Sequence, residues 1–125
     1  MDEEIQEGRI LAAIGYLGIL CLLPLFLLRE NEFARFHGKQ GLVLFIAWIL
    51  TWIAVSIIFW LFKGVFGYIP IIGLLFIGIA WIIKVIGIIL YIFYLILMVM
   101  GIVQAAMGRY WRMPVLGVYA ERLRF

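Results

Sequence analysis

The stretch that decides the fold is Ile71–Met107, IIGLLFIGIAWIIKVIGIILYIFYLILMVMGIVQAAM, 37 residues with a single charge at Lys84. As one helix it would run about 55 Å, against roughly 30 Å of hydrocarbon in a bilayer. A single crossing leaves the surplus uncovered, so the segment is expected to fold back or break. Lys84 and Gly87 are the expected place. A turn there lets the ammonium reach the interface, where mid-bilayer burial would cost about 2.5–3.5 kcal/mol. This predicts a short helix over 71–83, with Pro70 in its first turn, and a full-length helix over 86–107.

Two more apolar runs precede it. Residues 10–28 give 19 uncharged positions, closed by Arg29-Glu30-Asn31-Glu32, with Pro24 expected to kink the helix. Residues 41–62 give 22 and end at Lys63. Spanning strands alternate apolar and polar residues, and these runs do not. The expectation is an all-α membrane protein. A single domain over 1–125 holds a small bundle of four hydrophobic helices, the third short and either spanning or re-entrant. The tail Val115–Phe125 is expected to form a short amphipathic segment with Leu116, Tyr119, Ala120 and Leu123 on one face.

Composition supports that class. Of the 125 residues 68% are hydrophobic and 14% charged, and the mean hydropathy is +1.22. A soluble domain this small could not bury so much apolar surface, which excludes a soluble enzyme. The net charge of +3 sits at the edges of apolar runs, as membrane anchors do, and gives no basic stripe for nucleic acid. The acidic N-terminus (Asp2, Glu3, Glu4, Glu7) does not suit a cleaved signal peptide. Four crossings would divide the cations six to four. Three crossings divide them seven to three, with Arg29, Arg35, Lys39, Arg109, Arg112, Arg122 and Arg124 on one side. Either way the C-terminus is expected on the cytoplasmic side of a prokaryotic plasma membrane.

The chemical inventory is thin. No Asp or Glu lies between Phe33 and Ala120, and there is one histidine, His37, one serine, one threonine and one cysteine, Cys21. Neither a catalytic triad nor a four-ligand zinc site can be assembled from these residues, so no catalysis, cofactor or metal is expected. Lys84, with the neutral Gln104, is the one charge inside a span, and an oligomeric solute or ion conduit would have to be built on that pair. Gly8, Ala12 and Gly15 recur at i, i+4, i+7, as do Gly101, Ala105 and Gly108, and small faces of this kind let helices approach closely in lipid. They suit internal packing, self-association or other membrane proteins equally.

The polar connections carry the specific order. The first contains Arg35, Phe36, His37, Lys39 and Gln40; the second contains Gly108, Tyr110, Trp111, Arg112 and Pro114. Cations alternating with aromatic rings suit a headgroup layer, probing anionic lipids or a partner. An Arg-Phe-His-x-x-Gln segment after the first run, and a Gly-x-Tyr/Trp-x-Arg-x-Pro segment after the last, resemble the Tic20-like (DUF4870) family. Tyr68-Ile69-Pro70-Ile71-Ile72-Gly73 is similar to a stretch common in such proteins, while Arg109 departs from the acidic or polar residue usual there. The resemblance implies a small non-enzymatic subunit of a membrane complex, in protein translocation or insertion, with no catalytic residue or cofactor.

Overall fold

The computed structural model describes residues 3–123, and among them every regular element is helical. Helix α1 spans Glu3–Ile14, and a 3-10 turn, Gly18–Cys21, leads into α2, Leu22–Leu27. Helix α3 spans Glu32–Trp60, followed by a π segment, Leu61–Val65, and a 3-10 turn, Phe66–Tyr68. Helix α4 spans Ile72–Ala106 and α5 spans Leu116–Glu121. Two stretches, Glu32–Tyr68 and Ile72–Ala106, are long and apolar enough to cross a membrane.

The expected four-helix count is therefore replaced by two long helices. Run 10–28 does not form one helix: α1 stops at Ile14, and Gly18 takes the left-handed φ of +65° that opens the 3-10 turn. Pro24 does not kink a long helix, because it occupies the first turn of α2, where its missing N–H has no intrahelical partner to lose. The Pro24 ring instead closes on Gly15, where a side chain on the glycine would meet its Cγ. The break expected at Lys84–Gly87 is absent, and α4 runs unbroken for 35 residues. One internal glycine costs a helix only about 1 kcal/mol, too little to end a run of Leu, Ile and Phe. Gly87 serves packing, since Val55 fills the space where its Cβ would stand.

The chain forms two compact units. Unit 1 comprises the chain up to Ala47 together with the chain from Tyr94 onward; unit 2 is Trp48–Phe93. In unit 1 the core is Ala12, Tyr16, Phe33, Leu44, Leu97, Ala105 and Met113. Asn31 joins α1 to α3 and caps the latter. Its Oδ1 accepts from the Ala34 N–H at 3.0 Å and its Nδ2 donates to the Glu4 carbonyl at 2.8 Å. Gly41 lets α3 meet the turn after α1 backbone to backbone, since a Cβ there would land on the Gly15 carbonyl. Unit 2 is a hairpin of the distal parts of α3 and α4, closed by ring contacts among Phe62, Phe66 and Phe76, edge-on at Phe62 and tilted between Phe66 and Phe76. Its apolar surface is largely open: Tyr68 is 84% exposed and Ile71 88%.

Two prolines are each followed by a β-branched residue in the left-handed region. Ile71 has φ +68° and Val115 has φ +64°. In both the next N–H returns to the proline carbonyl, Ile72 to Pro70 at 2.8 Å and Leu116 to Pro114 at 2.7 Å. These are strained γ-turns, and each starts a helix.

Candidate functional site

The two polar segments singled out in the sequence meet in unit 1. Helix α4 ends in a Schellman arrangement: Gly108, φ +76°, donates to the Ala105 carbonyl and Arg109 to the Gln104 carbonyl, each at 3.0 Å. Gly108 is thus the left-handed terminator, and the packing stripe of α4 is reduced to Gly101 and Ala105. Both are buried, and the Tyr16 ring lies flat on Gly101 where any Cβ would collide with it. Gly8, buried in α1, faces Asn31, and Ala12 is in the core.

After the terminator the backbone is irregular from Arg109 to Met113, so its polar groups lack helical partners. His37 and Gln40, three residues apart on α3 and therefore on one face, supply them. His37 Nε2 lies 2.8 Å from the Arg109 carbonyl, and Tyr16 Oη lies 2.6 Å from His37 Nδ1. Gln40 Nε2 donates to the Tyr16 oxygen at 2.9 Å and to the Trp111 carbonyl at 2.8 Å. Gln40 Oε1 accepts from the Met113 N–H at 2.5 Å.

The partners fix every proton. A carbonyl only accepts, so His37 Nε2 carries the hydrogen; Gln40 gives its second hydrogen to Tyr16, so the Tyr16 hydroxyl must point at Nδ1. The ring is neutral, and Tyr16, His37 and Gln40 are almost wholly buried. Among the described residues no buried side-chain nitrogen or oxygen lacks a partner. Around the ring, Phe33, Phe36 and Tyr16 stand edge-on at centroid distances of 4.7, 5.1 and 5.6 Å, and Tyr110 closes on Phe33 and Phe36. Phe33 is fully buried.

The cations sit outside this core. Lys39 donates to the Leu123 carbonyl at 2.9 Å, just past the end of α5, where a cation also suits the helix dipole. Arg112 Nε pairs with Glu121 at 3.1 Å, both side chains about half exposed. Arg35 reaches the Arg29 carbonyl only at 3.5 Å. With Glu32, Phe36, Gly117 and Glu121, Arg35 and Lys39 line an open cleft of about 210 Å³ between α3 and α5. Helix α5 turns Gly117 and Ala120 inward and leaves Tyr119 55% exposed, so the expected apolar face is rotated. Gly117 fits because Arg112 and Gln40 leave it no room for a side chain. The end of that tail, with Arg124 of the cation count, lies outside the described residues. In unit 2, Lys84 is exposed and lies over the Phe59 ring.

Sequence reasoning missed Tyr16, Asn31, Gly41 and Met113. Asn31 had a legible signal, an Asn immediately before a helical run. Tyr16 was hidden inside a run read as uniformly apolar.

Comparison with known proteins gives a family match over nearly the whole chain. The model of the magnetosome magnetite crystal formation protein family matches residues 7–119. Magnetosome protein MamF of Paramagnetospirillum magneticum is 44% identical over 48 residues, 38% of this chain and 43% of that protein. Magnetosome protein MmsF of the same organism is 41% identical over 59 residues, 47% of this chain and 54% of that protein. MamF of Magnetospirillum gryphiswaldense is 46% identical over 48 residues, again 38% and 43%. The chain thus spans about half the length of the curated relatives it matches. No solved structure matches. The family match overturns the Tic20-like resemblance and, with it, the reading as a translocation or insertion subunit. Of the residues that carried the resemblance, His37 and Gln40 clamp the backbone that follows the end of α4 against α3 by hydrogen bonds. That is a packing solution, which short motifs can share without a shared role.

Proposed function

The chain belongs to the magnetosome magnetite crystal formation protein family, and from that premise we propose that it is a non-enzymatic membrane component of magnetite crystal formation. The observation that carries the reading is the family match from residue 7 to residue 119. The architecture supports a membrane-held scaffold. Helices α3 and α4 provide two arms long enough to cross a bilayer, while α1 and α2, of 12 and 6 residues, are each too short. Two crossings return the chain to its starting side. Arg9, Arg29, Arg35, Lys39, Arg109, Arg112 and Arg122 then share one side, against Lys63 and Lys84. That asymmetry exceeds either division considered from the sequence and supports a cytoplasmic location for both ends. On that side the exposed Arg109 is open to anionic headgroups, a surface cation contributing about 1 kcal/mol of attraction.

The test is genetic. A magnetite-forming bacterium stripped of its own family members is complemented with this chain, and crystal size and number are measured by electron microscopy. Restored crystals are expected. Crystals indistinguishable from those of the stripped strain, with the chain present in the magnetosome fraction, would refute the proposal.

A further inference from the structure

Unit 2 contains two lysines that converge on one pair of aromatic rings. Lys63 Nζ lies 5.3 Å from the centroid of Phe59 and 5.1 Å from that of Trp81, and Lys84 Nζ lies 4.9 Å from that of Phe59. The rings meet edge to face, with centroids 5.3 Å apart. Helical spacing makes the convergence: Lys63 follows Phe59 by four residues on one arm, and Lys84 follows Trp81 by three on the other. Lys63 also falls in the π segment Leu61–Val65, a local widening that recurs at functional positions in helices.

Both ammonium groups lie over the Phe59 ring, and aromatic faces offset only part of their mutual repulsion. Unit 2 itself supplies no anion, because no Asp or Glu occurs anywhere from Phe33 to Ala120. Both lysines are exposed, and therefore open to a ligand from outside. Their level along the arms is informative. Between Lys39 and Lys63 stand 23 uncharged residues, and between Lys84 and Arg109 stand 24. At about 1.5 Å per residue each stretch rises about 35 Å. That exceeds the roughly 30 Å hydrocarbon layer but falls short of the 40–45 Å that includes the headgroups, so an arm whose Lys39 or Arg109 stands at one headgroup layer carries its lysine to the other.

We infer that Lys63 and Lys84, held over Phe59 and Trp81, form a binding site for the phosphate of an anionic lipid headgroup. The chemistry is that of two ammonium groups clasping a phosphodiester oxygen pair while the rings cover its glycerol or acyl side. Inorganic phosphate offers the same oxygens and is the other source to be distinguished.

The experiment uses the full chain in nanodiscs of phosphatidylcholine with or without phosphatidylglycerol, reading lipid enrichment around the protein and its melting temperature. Phosphatidylglycerol should be enriched and should raise the melting temperature. The double variant Lys63→Met, Lys84→Met should lose about thirtyfold in phosphatidylglycerol preference, about fivefold for each lysine. A charge-matched control, Arg29→Gln, Arg122→Gln, should keep most of the preference, and Lys63→Arg, Lys84→Arg should keep it in a chain whose fold is not in question. Inorganic phosphate added to phosphatidylcholine discs separates the sources. No lysine-dependent stabilisation by inorganic phosphate assigns the site to lipid; stabilisation equal to that of phosphatidylglycerol would overturn the lipid assignment. Equal preference in the methionine variant and the native chain, or loss in the arginine variant, would overturn the site altogether.

Discussion

Replacing Gln40 by leucine removes one side chain and strands three groups. The Met113 N–H and the Trp111 carbonyl lose their partner in the interior, and the Tyr16 oxygen loses a donor. Leucine nearly matches glutamine in volume, so the cost is polar and no cavity opens. Each stranded buried backbone group costs about 1–3 kcal/mol, and the two together give about 2–6 kcal/mol. For a chain of this size 1 kcal/mol moves the melting temperature by roughly 3–6 °C, so a fall of about 6 °C or more is expected. The assay is built into the protein: Cys21 is its one cysteine and is buried, so a thiol-reactive dye in detergent or nanodiscs reports unfolding directly. Limited trypsin digestion provides a local reading, since release of the Arg109–Met113 backbone should speed cleavage at Arg109 and Arg112. Tyr16→Phe keeps the ring on Gly101 but leaves His37 Nδ1 without a donor, and should cost about half as much. A Gln40→Leu chain melting within about 2 °C of the native one, with unchanged cleavage, would show that the clamp does not hold the segment.

Other substitutions separate the remaining contributions. Ile71→Gly and Val115→Gly relieve a left-handed φ and should each raise stability by about 1 kcal/mol; a lower melting temperature for both would contradict the strain reading. Gly41→Ala forces a methyl onto the Gly15 carbonyl, where backbone cannot yield cheaply, and should cost at least about 2–3 kcal/mol in the same dye assay. Glu121→Gln removes the Arg112 ion pair, which is half in solvent, and should change stability by less than about 1 kcal/mol.

Helical class and the polar segments were legible from the sequence, because uncharged runs of this length admit few alternatives and their ends are marked by charges. The count of helices was not. Counting apolar residues treats Tyr16-Leu17-Gly18 as more of the same run, although the glycine there ends it by its backbone conformation. The converse error occurred at Lys84, where a charge suggested a turn but neither proline nor a left-handed glycine enforced one, and the Phe59 ring received the ammonium. For the clamp, the residue types were visible and the pairing was not. His37 meets Arg109 across 72 residues and Gln40 meets Met113 across 73, and their partners are backbone atoms, which have no sequence signature. Gly108 was read for its size when its backbone freedom decides its use.

A histidine is the first side chain to suspect of touching iron in a protein whose relatives belong to magnetite formation. Here the polarity of the polar chain answers that suspicion. Its first donor is a peptide N–H at Met113 and its last acceptor a peptide oxygen at Arg109, and neither end can exchange roles. The intervening bonds therefore run one way only, like a ratchet with both stops welded, and the imidazole's single lone pair is spent inside it. His37 in the folded chain is thus mute toward metal ions, and any encounter with iron falls to groups at the exposed periphery.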